Sequence, residues 1–218
     1  MGTTVRCRWP AAVAAFVAML ATAPLGARAL FDFDGGPGEA PIPVYEYYDA
    51  ARDHYFLTAS PPEFDALESG RFAGWRRAGN GPAFLAFGEP VKAHDFPAAL
   101  ANAQPVCRYF IPPASHFLSA SREECAAVGA AHPEFVFETD AAFYAWLPDR
   151  ATGRCPQPYA TVGGFEYQPV YRLWNGQADT NHRLTTSRTE RAAMIAGGWV
   201  AEGYGDDGVA MCVPSWHS

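Results

Sequence analysis

The sequence predicts an α+β fold in which three β-β-α-β units pack as one pseudo-threefold domain. The main observation is a pattern of residues that occurs three times, over residues 44–87, 106–146 and 170–213. Each copy holds two short runs of β-forming residues, then a serine followed three residues later by glutamate, and finally an apolar run. A pattern repeated on this scale usually corresponds to one supersecondary unit that packs against its own copies.

The first two strands of each unit are predicted to form a hairpin. Each first strand begins with a valine that follows a proline, at Val44, Val106 and Val170. A polar stretch typical of a turn comes next, over residues 49–53, 112–115 and 175–181. The second strand begins near a histidine and is rich in residues that favour β-structure.

A short helix is predicted after each second strand, because a capping-box pattern occurs there. The pairs are Ser60/Glu63, Ser121/Glu124 and Ser187/Glu190. In such a box the serine oxygen accepts a helical N–H, and the glutamate reaches back to the N–H of the serine. The predicted helices span residues 63–69, 124–130 and 190–196, and each ends near a glycine. Helices this short are unstable alone, so we expect the three units to share one interior.

The N-terminus is predicted to be a signal peptide over residues 1–29. Two arginines precede a short apolar run, and Ala27-Arg28-Ala29 offers the small-x-small pattern of a cleavage site. An N-terminal arm over residues 30–43 and a single repeat domain over residues 44–214 complete the predicted organisation. We expect a secreted or periplasmic protein with no membrane insertion after cleavage. The alternative is an uncleaved N-terminal anchor.

The charge balance argues against nucleic-acid binding. Removing residues 1–29 takes away three arginines and no acidic residue, so the formal net charge changes from −7 to −10. An acidic surface repels nucleic acid and anionic lipid.

The cysteines predict two disulfides, Cys107–Cys125 and Cys155–Cys212. Cys7 leaves with the signal peptide, and four cysteines remain in an oxidising compartment. Cys107 and Cys125 occupy positions that hold other residue types in the first and third copies, as a bridge local to the second copy requires. The remaining two cysteines then pair. The alternative is a metal site, but the spacings contain no C-x-x-C.

The recurring histidines are the first candidates for a ligand site. His54, His116 and His182 each stand near the start of a second strand. They either converge on a ligand or a metal, or bond a turn carbonyl in each unit. We favour the structural interpretation, because a motif copied with the fold usually serves the fold. The first copy has one extra residue before its serine, so without a β-bulge Tyr55 takes the place of the third histidine.

Charged side chains supply further candidates. Arg108 and Arg172 occupy equivalent positions and can form a fork onto a carboxylate, either of a ligand or of an internal salt bridge. Asp206 and Asp207 lie in a glycine-flanked loop, where they either bind Ca²⁺ or form a solvated turn. The repeated acids Glu138 and Glu202 are predicted to bond their local turns.

The tryptophans fall into two groups. Trp75 and Trp199 occupy equivalent positions, which predicts a place in the core. The others differ between the copies and are candidates for an exposed stacking platform. They are Trp174, Trp146 and Trp216.

These motifs resemble a family of exported bacterial repeats that is catalogued only as a domain of unknown function. The third copy fits best, with V170-Y-R-L-W-N, H182-R-L-T-T-S-R-T-E-R and G198-W-V-A-E-G, whereas the second copy replaces the tryptophan by Phe135. The resemblance covers nearly all of residues 44–214. It implies a binding or accessory role and supplies no catalytic residues.

We therefore expect an exported, non-catalytic binding module without a cofactor. An extracellular glycan or cell-wall polymer is the leading ligand class, and a surface protein is another possible partner. One alternative is a small secreted hydrolase that uses His116 or His182, although no G-x-S-x-G nucleophile motif occurs. The other alternative is a structural or protein-interaction module.

Overall fold

The computed structural model describes residues 41–89, 103–156 and 166–215. The predicted signal peptide, residues 30–40 of the predicted arm, and Trp216 lie outside the described residues.

The fold mixes helices and strands and consists mostly of strands, as an α+β class predicts. The predicted β-β-α-β order is incomplete, because two strands rather than one follow each helix. The first segment contains β1 (Ile42–Asp49), β2 (His54–Thr58), α1 (Pro61–Glu68), β3 (Trp75–Arg77) and β4 (Phe84–Ala86). The second contains β5 (Gln104–Pro105), β6 (Cys107–Ile111), β7 (Ser115–Ser119), α2 (Arg122–Ala131), β8 (Val136–Thr139) and β9 (Tyr144–Ala145). The third contains β10 (Glu166–Trp174), β11 (His182–Thr185), α3 (Arg188–Ala196), β12 (Val200–Glu202) and β13 (Val209–Ser215).

The larger sheets share one antiparallel arrangement. Sheet 1 has the order β2-β1-β3, and β4 also pairs with β1. Sheet 2 has the order β7-β6-β8, whereas β5 and β9 form a separate two-stranded sheet. Sheet 3 has the order β11-β10-β12, and β13 also pairs with β10. In each larger sheet the first strand lies between the second strand and the strand that follows the helix, because the predicted hairpin brings the first two strands together.

A central core cluster takes side chains from all three segments. Its aliphatic members include a valine from each first strand and a leucine from each second strand. These are Val44, Val106, Val170, Leu57, Leu118 and Leu184. A smaller cluster lies beside each helix, and it includes Phe64 of α1, Cys125 of α2 and Met194 of α3. Because α2 and α3 have no fully buried residue, the strands supply most of the apolar interior.

The helices begin two residues earlier than predicted, directly after each capping serine. The hydroxyl oxygens of Ser121 and Ser187 accept the predicted helical N–H groups, each at 3.2 Å. Ser60 makes no such side-chain bond, and its carbonyl oxygen accepts the Glu63 N–H at 3.0 Å instead. Gly129 lies inside α2 rather than at its end. A Cβ at this position would stand 2.6 Å from the Tyr109 hydroxyl oxygen, so the close approach of Tyr109 favours glycine.

The glutamates of the capping boxes do not reach back to the serine N–H as predicted. Instead, each serine N–H donates to a hydroxyl two residues earlier, at 2.9–3.0 Å. That hydroxyl then donates to the glutamate of the box. The hydroxyls belong to Thr58, Ser119 and Thr185. Because one hydroxyl serves as the intermediary, the rest of each carboxylate is free to bind another partner.

Two disulfides are present, Cys107–Cys125 and Cys155–Cys212. These are the pairings that the sequence predicts. Within the described parts of the chain, no helix combines the length and the apolar character needed to cross a bilayer.

Candidate functional site

Arg172 joins sheet 3 to sheet 2. Its two terminal nitrogens donate to the Glu124 carboxylate at 3.1 and 2.6 Å, and one of them also donates to the Leu118 carbonyl at 3.1 Å. Its Nε donates to Glu202 on β12 at 3.1 Å. The guanidinium lies over the Phe117 ring, 4.5 Å from its centroid. We call this contact seam 3/2. Acceptors from the second and the third segment together therefore satisfy the buried guanidinium of Arg172.

Arg108 joins sheet 2 to sheet 1 in the same way. Its terminal nitrogens donate to Glu63 at 3.0 and 2.6 Å, and its Nε donates to Glu138 at 2.7 Å. The guanidinium lies 5.0 Å from the centroid of the Phe56 ring. We call this contact seam 2/1. In both seams a capping-box glutamate from the helix of one segment binds an arginine from the first β-strand of the next segment's hairpin.

The contact between sheets 1 and 3, which we call seam 1/3, has the charges exchanged. Glu46 stands on β1 where sheets 2 and 3 carry their arginines, and Arg183 stands on β11 where sheets 1 and 2 carry phenylalanines. Arg183 donates to both oxygens of Glu46 at 3.0 Å and to Glu190 at 3.3 Å. It also lies 4.5 Å from the centroid of the Tyr55 ring. Seam 1/3 therefore keeps an ion pair, but the acid stands on the first strand of a hairpin and the arginine on the second strand.

The recurring histidines are buried and do not gather at an open site. Only 5% of His116 and 6% of His182 is exposed. The His116 ring lies 4.6 Å from the Phe56 ring, and the His182 ring lies 5.6 Å from the Phe117 ring. Each Nε2 faces the glutamate that its neighbouring arginine binds, at 3.6 Å from Glu138 and 3.3 Å from Glu202. These imidazoles therefore belong to seams 2/1 and 3/2.

His54 differs from the other two histidines. The pairing of β1 with β2 has no register shift, so Tyr48 lies opposite Tyr55 as Phe110 lies opposite His116. Tyr55 therefore takes the position of the third histidine, as expected if the extra residue makes no bulge. The His54 Nδ1 lies 2.6 Å from the Arg52 carbonyl oxygen, the only bond of this predicted kind among the described histidines.

Some carboxylates of the seams have shifted pKa values, namely those of Glu124, Glu202, Glu138 and Glu46. Burial acts to raise the pKa of Glu124 and of Glu202, but hydrogen bonds and the charge of Arg172 hold both below the ordinary value. At Glu138 burial also acts to raise the pKa, but hydrogen bonds and charges of His116 and Arg108 outweigh burial and lower it. At Glu46 burial prevails and raises the pKa, although Arg183 acts against it. Seam 1/3 therefore stabilises the charged form of its buried glutamate less than the other two seams do.

We expect His116 to make stability depend on pH. Burial lowers the pKa of its imidazole, so the unfolded chain binds this proton more readily than the folded protein. Its contribution to stability is full above about pH 6.5 and is lost as the pH falls, by at most about 1.4 kcal/mol per pH unit. Urea unfolding of the wild type and of His116→Phe between pH 7.5 and 5 measures this slope. Parallel stability curves for the two proteins would contradict the prediction.

The other predicted site residues lie apart from the seams. The backbone carbonyls of Asp206 and Asp207 accept hydrogen bonds from Arg191, and the Asp207 carboxylate lies 3.5 Å from that guanidinium. Trp174 is partly exposed, but its indole N–H is buried without a partner among the described residues. Among residues 41–89, 103–156 and 166–215, no group of three or more His, Cys, Asp or Glu side chains is arranged to hold a metal ion.

Trp146 contradicts its prediction as an exposed platform. Only 2% of it is exposed, because it packs against Phe87 and Tyr167 in the cluster beside α3. Trp75 and Trp199 are partly buried at the margins of their clusters, so their faces are not fully enclosed.

The surface has two open depressions, one beside α1 and β3 and one at seam 1/3. The first, which we call the α1 groove, has a volume of about 420 Å³. Its lining includes Phe72, Trp75, Arg76, Arg77 and Glu68. The second, which we call the seam cleft, has a volume of about 310 Å³ and lies at seam 1/3. Its lining includes Glu46, Ala78, Asn80, Arg183, Thr186 and Glu190.

Comparison with known proteins identifies a family. A family model described as a domain of unknown function, DUF5648, matches residues 93–209, which is more than half of the chain. The chain belongs to the DUF5648 family. The matched part includes sheet 2 and the arginines of seams 2/1 and 3/2, whereas sheet 1 precedes it. No curated protein and no solved structure matches the chain.

Sequence reasoning missed several residues of the seams in this DUF5648 chain. The sequence predicts only helix caps for Glu63 and Glu124 and only local turns for Glu138 and Glu202, but all four bind arginines. Arg183 was not singled out at all. The sequence did contain an indication of Arg183: Glu46 stands at the position where the later segments have Arg108 and Arg172. A cation that is lost at such a position requires compensation elsewhere.

Proposed function

We propose that this chain is an exported, non-catalytic binding module whose three units surround a pseudo-threefold axis and whose ligand is a glycan. Export agrees with the predicted signal peptide over residues 1–29 and with the two disulfides. The glycan is the ligand class to which an aromatic groove with charged edges is best suited.

The arrangement of three units is supported by contacts that follow one cyclic order. The strands β2, β7 and β11 contact one another in all three pairings. Arg108 of the second segment binds Glu63 of the first, and Arg172 of the third binds Glu124 of the second. Seam 1/3 completes the cycle from the first segment back to the third. A shared central cluster is the expected core of such a module.

The observation that supports binding most directly is the α1 groove. Trp75 and Phe72 are partly exposed there, and Glu68, Arg76 and Arg77 stand beside them. An aromatic face packs against the apolar face of a sugar ring, and the charged groups hydrogen-bond to its hydroxyls. The groove is open rather than enclosed, which suits a polymer that passes along the surface.

A hydrolytic function has less support. The imidazoles of His116 and His182 are covered by the seams, where a substrate does not reach them. The hydroxyls of Ser121 and Ser187 accept helical N–H groups as caps. A serine nucleophile needs an adjacent base and an oriented third group. Neither histidine presents that arrangement at a surface.

A glycan array with the mature, oxidised protein tests the proposal. We expect binding to at least one class of surface or wall polysaccharide, and we expect Trp75→Leu to weaken that binding about three- to tenfold through loss of ring stacking. Trp199→Leu is the matched control, because Trp199 follows α3 as Trp75 follows α1 but does not line the groove. Absence of glycan binding, with turnover of an ester or glycoside panel, would favour the hydrolase instead.

A further inference from the structure

One ring nitrogen of His54 is held in place, and the other is buried without a hydrogen bond. The Nδ1 lies 2.6 Å from the Arg52 carbonyl oxygen. Because a carbonyl only accepts, Nδ1 carries a proton, and in the neutral ring Nε2 then carries the lone pair. Only 3% of His54 is exposed, and Nε2 has no hydrogen-bond partner among the described residues. A backbone carbonyl that fixes an imidazole in this way is the usual support of a histidine that ligates a metal through its other nitrogen.

The group that Nε2 faces is the carboxylate of Asp179, in the loop before β11. Its Oδ2 lies 3.8 Å from Nε2, which is too far for a hydrogen bond. Its Oδ1 accepts a hydrogen bond from the Asn175 amide at 2.7 Å, so this carboxylate is also held in orientation. Bonds from Zn²⁺ to imidazole nitrogen and to carboxylate oxygen are each about 2.1 Å long, so two atoms that share one ion lie at most about 4.2 Å apart. One shared ion therefore spans the distance between His54 and Asp179.

Asn181 supplies a further unpartnered acceptor beside this pair. Its Nδ2 donates to the carbonyl of Asp53, the residue directly before His54. None of Asn181 is exposed, and its Oδ1 has no hydrogen-bond partner in the described parts of the chain. The amide is thus anchored one residue from His54 and stands two residues from Asp179 in the chain. A buried acceptor without a donor is costly, and a cation stabilises several of them together.

The backbone beside both side chains is held in an uncommon conformation. Asp53 and Thr180 have φ angles of 56° and 48°, and they are the non-glycine residues with positive φ in the described ranges. Asp53 precedes His54, and Thr180 separates Asp179 from Asn181. This conformation is costly for threonine because its side chain is β-branched. The fold therefore maintains two unfavourable turns at the point where the first and third segments bring these groups together.

We propose that His54, Asp179 and Asn181 form a site for one divalent metal ion of the borderline class, with Zn²⁺ as its representative. The ligands are the His54 Nε2, the Asp179 Oδ2 and the Asn181 Oδ1, and water completes the coordination because the Asp179 side chain is 43% exposed. Two of the three ligands come from His or Asp, and the third is an amide oxygen. An imidazole nitrogen favours Zn²⁺ over Ca²⁺ and Mg²⁺, which take oxygen ligands. The bound ion joins the first segment to the third and is independent of glycan binding.

Calorimetric titration of the mature, oxidised protein with ZnCl₂ at pH 7.5, without a histidine tag, tests the site. We expect one Zn²⁺ per chain and a thermal unfolding midpoint that rises with the Zn²⁺ concentration. We expect Asp179→Asn and His54→Asn each to weaken Zn²⁺ binding about tenfold or more. Asp179→Asn retains an oxygen for the Asn175 amide, and His54→Asn introduces the residue type that the third segment has at the equivalent position, Asn181.

His132→Asn is the matched control. The His132 Nδ1 lies 3.2 Å from the Glu134 carboxylate, but these two side chains are 48% and 63% exposed. We expect this substitution to leave Zn²⁺ affinity unchanged. Long-range ¹H–¹⁵N NMR then identifies the ligating atom, because Zn²⁺ should shift the His54 Nε2 resonance while Nδ1 stays protonated. If His54→Asn unfolds, Asp179→Asn still decides the result, since the Asp179 side chain is nearly half exposed.

The other outcomes overturn the metal site and say what replaces it. Absence of Zn²⁺ binding, with both His54 nitrogens protonated, indicates a direct ion pair with Asp179. Absence of Zn²⁺ binding, with Nε2 unprotonated, indicates a bridging water. Zn²⁺ affinity that is lost in His132→Asn but kept in Asp179→Asn places the ion at the exposed pair. Equal affinity for Mg²⁺ and Zn²⁺ contradicts ligation by the imidazole nitrogen.

Discussion

Replacing Arg172 with methionine is expected to lower the free energy of unfolding by about 3–5 kcal/mol. Arg172 is 3% exposed and binds the carboxylates of Glu124 and Glu202 across seam 3/2. Methionine retains the apolar stem but leaves both carboxylates without their cation. The cost is large because two partly buried charges lose their partner while the space to hydrate them stays small.

Urea unfolding of the oxidised protein measures this effect. Arg150→Met is the matched control, because Arg150 pairs with Glu123 at 2.7 Å but has a 61% exposed side chain. An exposed pair of this kind contributes at most about 1 kcal/mol. If the two variants lose similar stability, seam 3/2 does not stabilise the fold as strongly as the hydrogen bonds of Arg172 predict.

The second large effect concerns the reversed ion pair of seam 1/3. Glu46→Arg places two guanidinium groups together, and Arg183→Phe leaves Glu46 and Glu190 without a cation. We expect each single substitution to cost about 3–5 kcal/mol. The double variant reproduces the arginine-over-phenylalanine arrangement of seams 2/1 and 3/2, with Glu190 as the carboxylate. We therefore expect it to recover about 2–3 kcal/mol relative to the sum of the single variants.

A double-mutant cycle from thermal or urea unfolding gives this coupling energy. Glu46→Arg combined with Arg150→Met is the control cycle, because Arg150 lies outside seam 1/3 and should show no coupling. Recovery in the double variant supports equivalent seams and hence the proposed threefold arrangement. Additive losses would indicate that seam 1/3 is not built on the plan of the other two.

The elements of this fold were largely predictable because they depend on short stretches of chain. The β-forming runs around Val44, the polar turns and the Ser-x-x-Glu pattern act within a few residues. The hairpins formed where they were expected, and the helices began two residues before the expected positions. The disulfide Cys107–Cys125 was predictable for a related reason: a residue type special to one copy indicates a feature local to that copy.

The partners of the charged residues were not predictable in the same way. Arg108 was expected either to bind a ligand or to form an internal salt bridge, but its partner Glu63 lies in a different segment. The variation at the position of Trp146 predicts an exposed ring, yet Trp146 is buried against Phe87. Variation between copies indicates a difference in surroundings, and it does not tell whether those surroundings are solvent or core.

By itself the sequence determined the hairpins, the helices that follow them and the identity of the bridged cysteines. Only the tertiary structure decided that the copied glutamates bind the arginines of the neighbouring sheet, that Tyr55 replaces a histidine, and that Arg183 restores the charge lost at Glu46. The physical reason is distance along the chain. Backbone preferences act between neighbours in sequence, whereas a buried charge is neutralised by whichever opposite charge packing brings near.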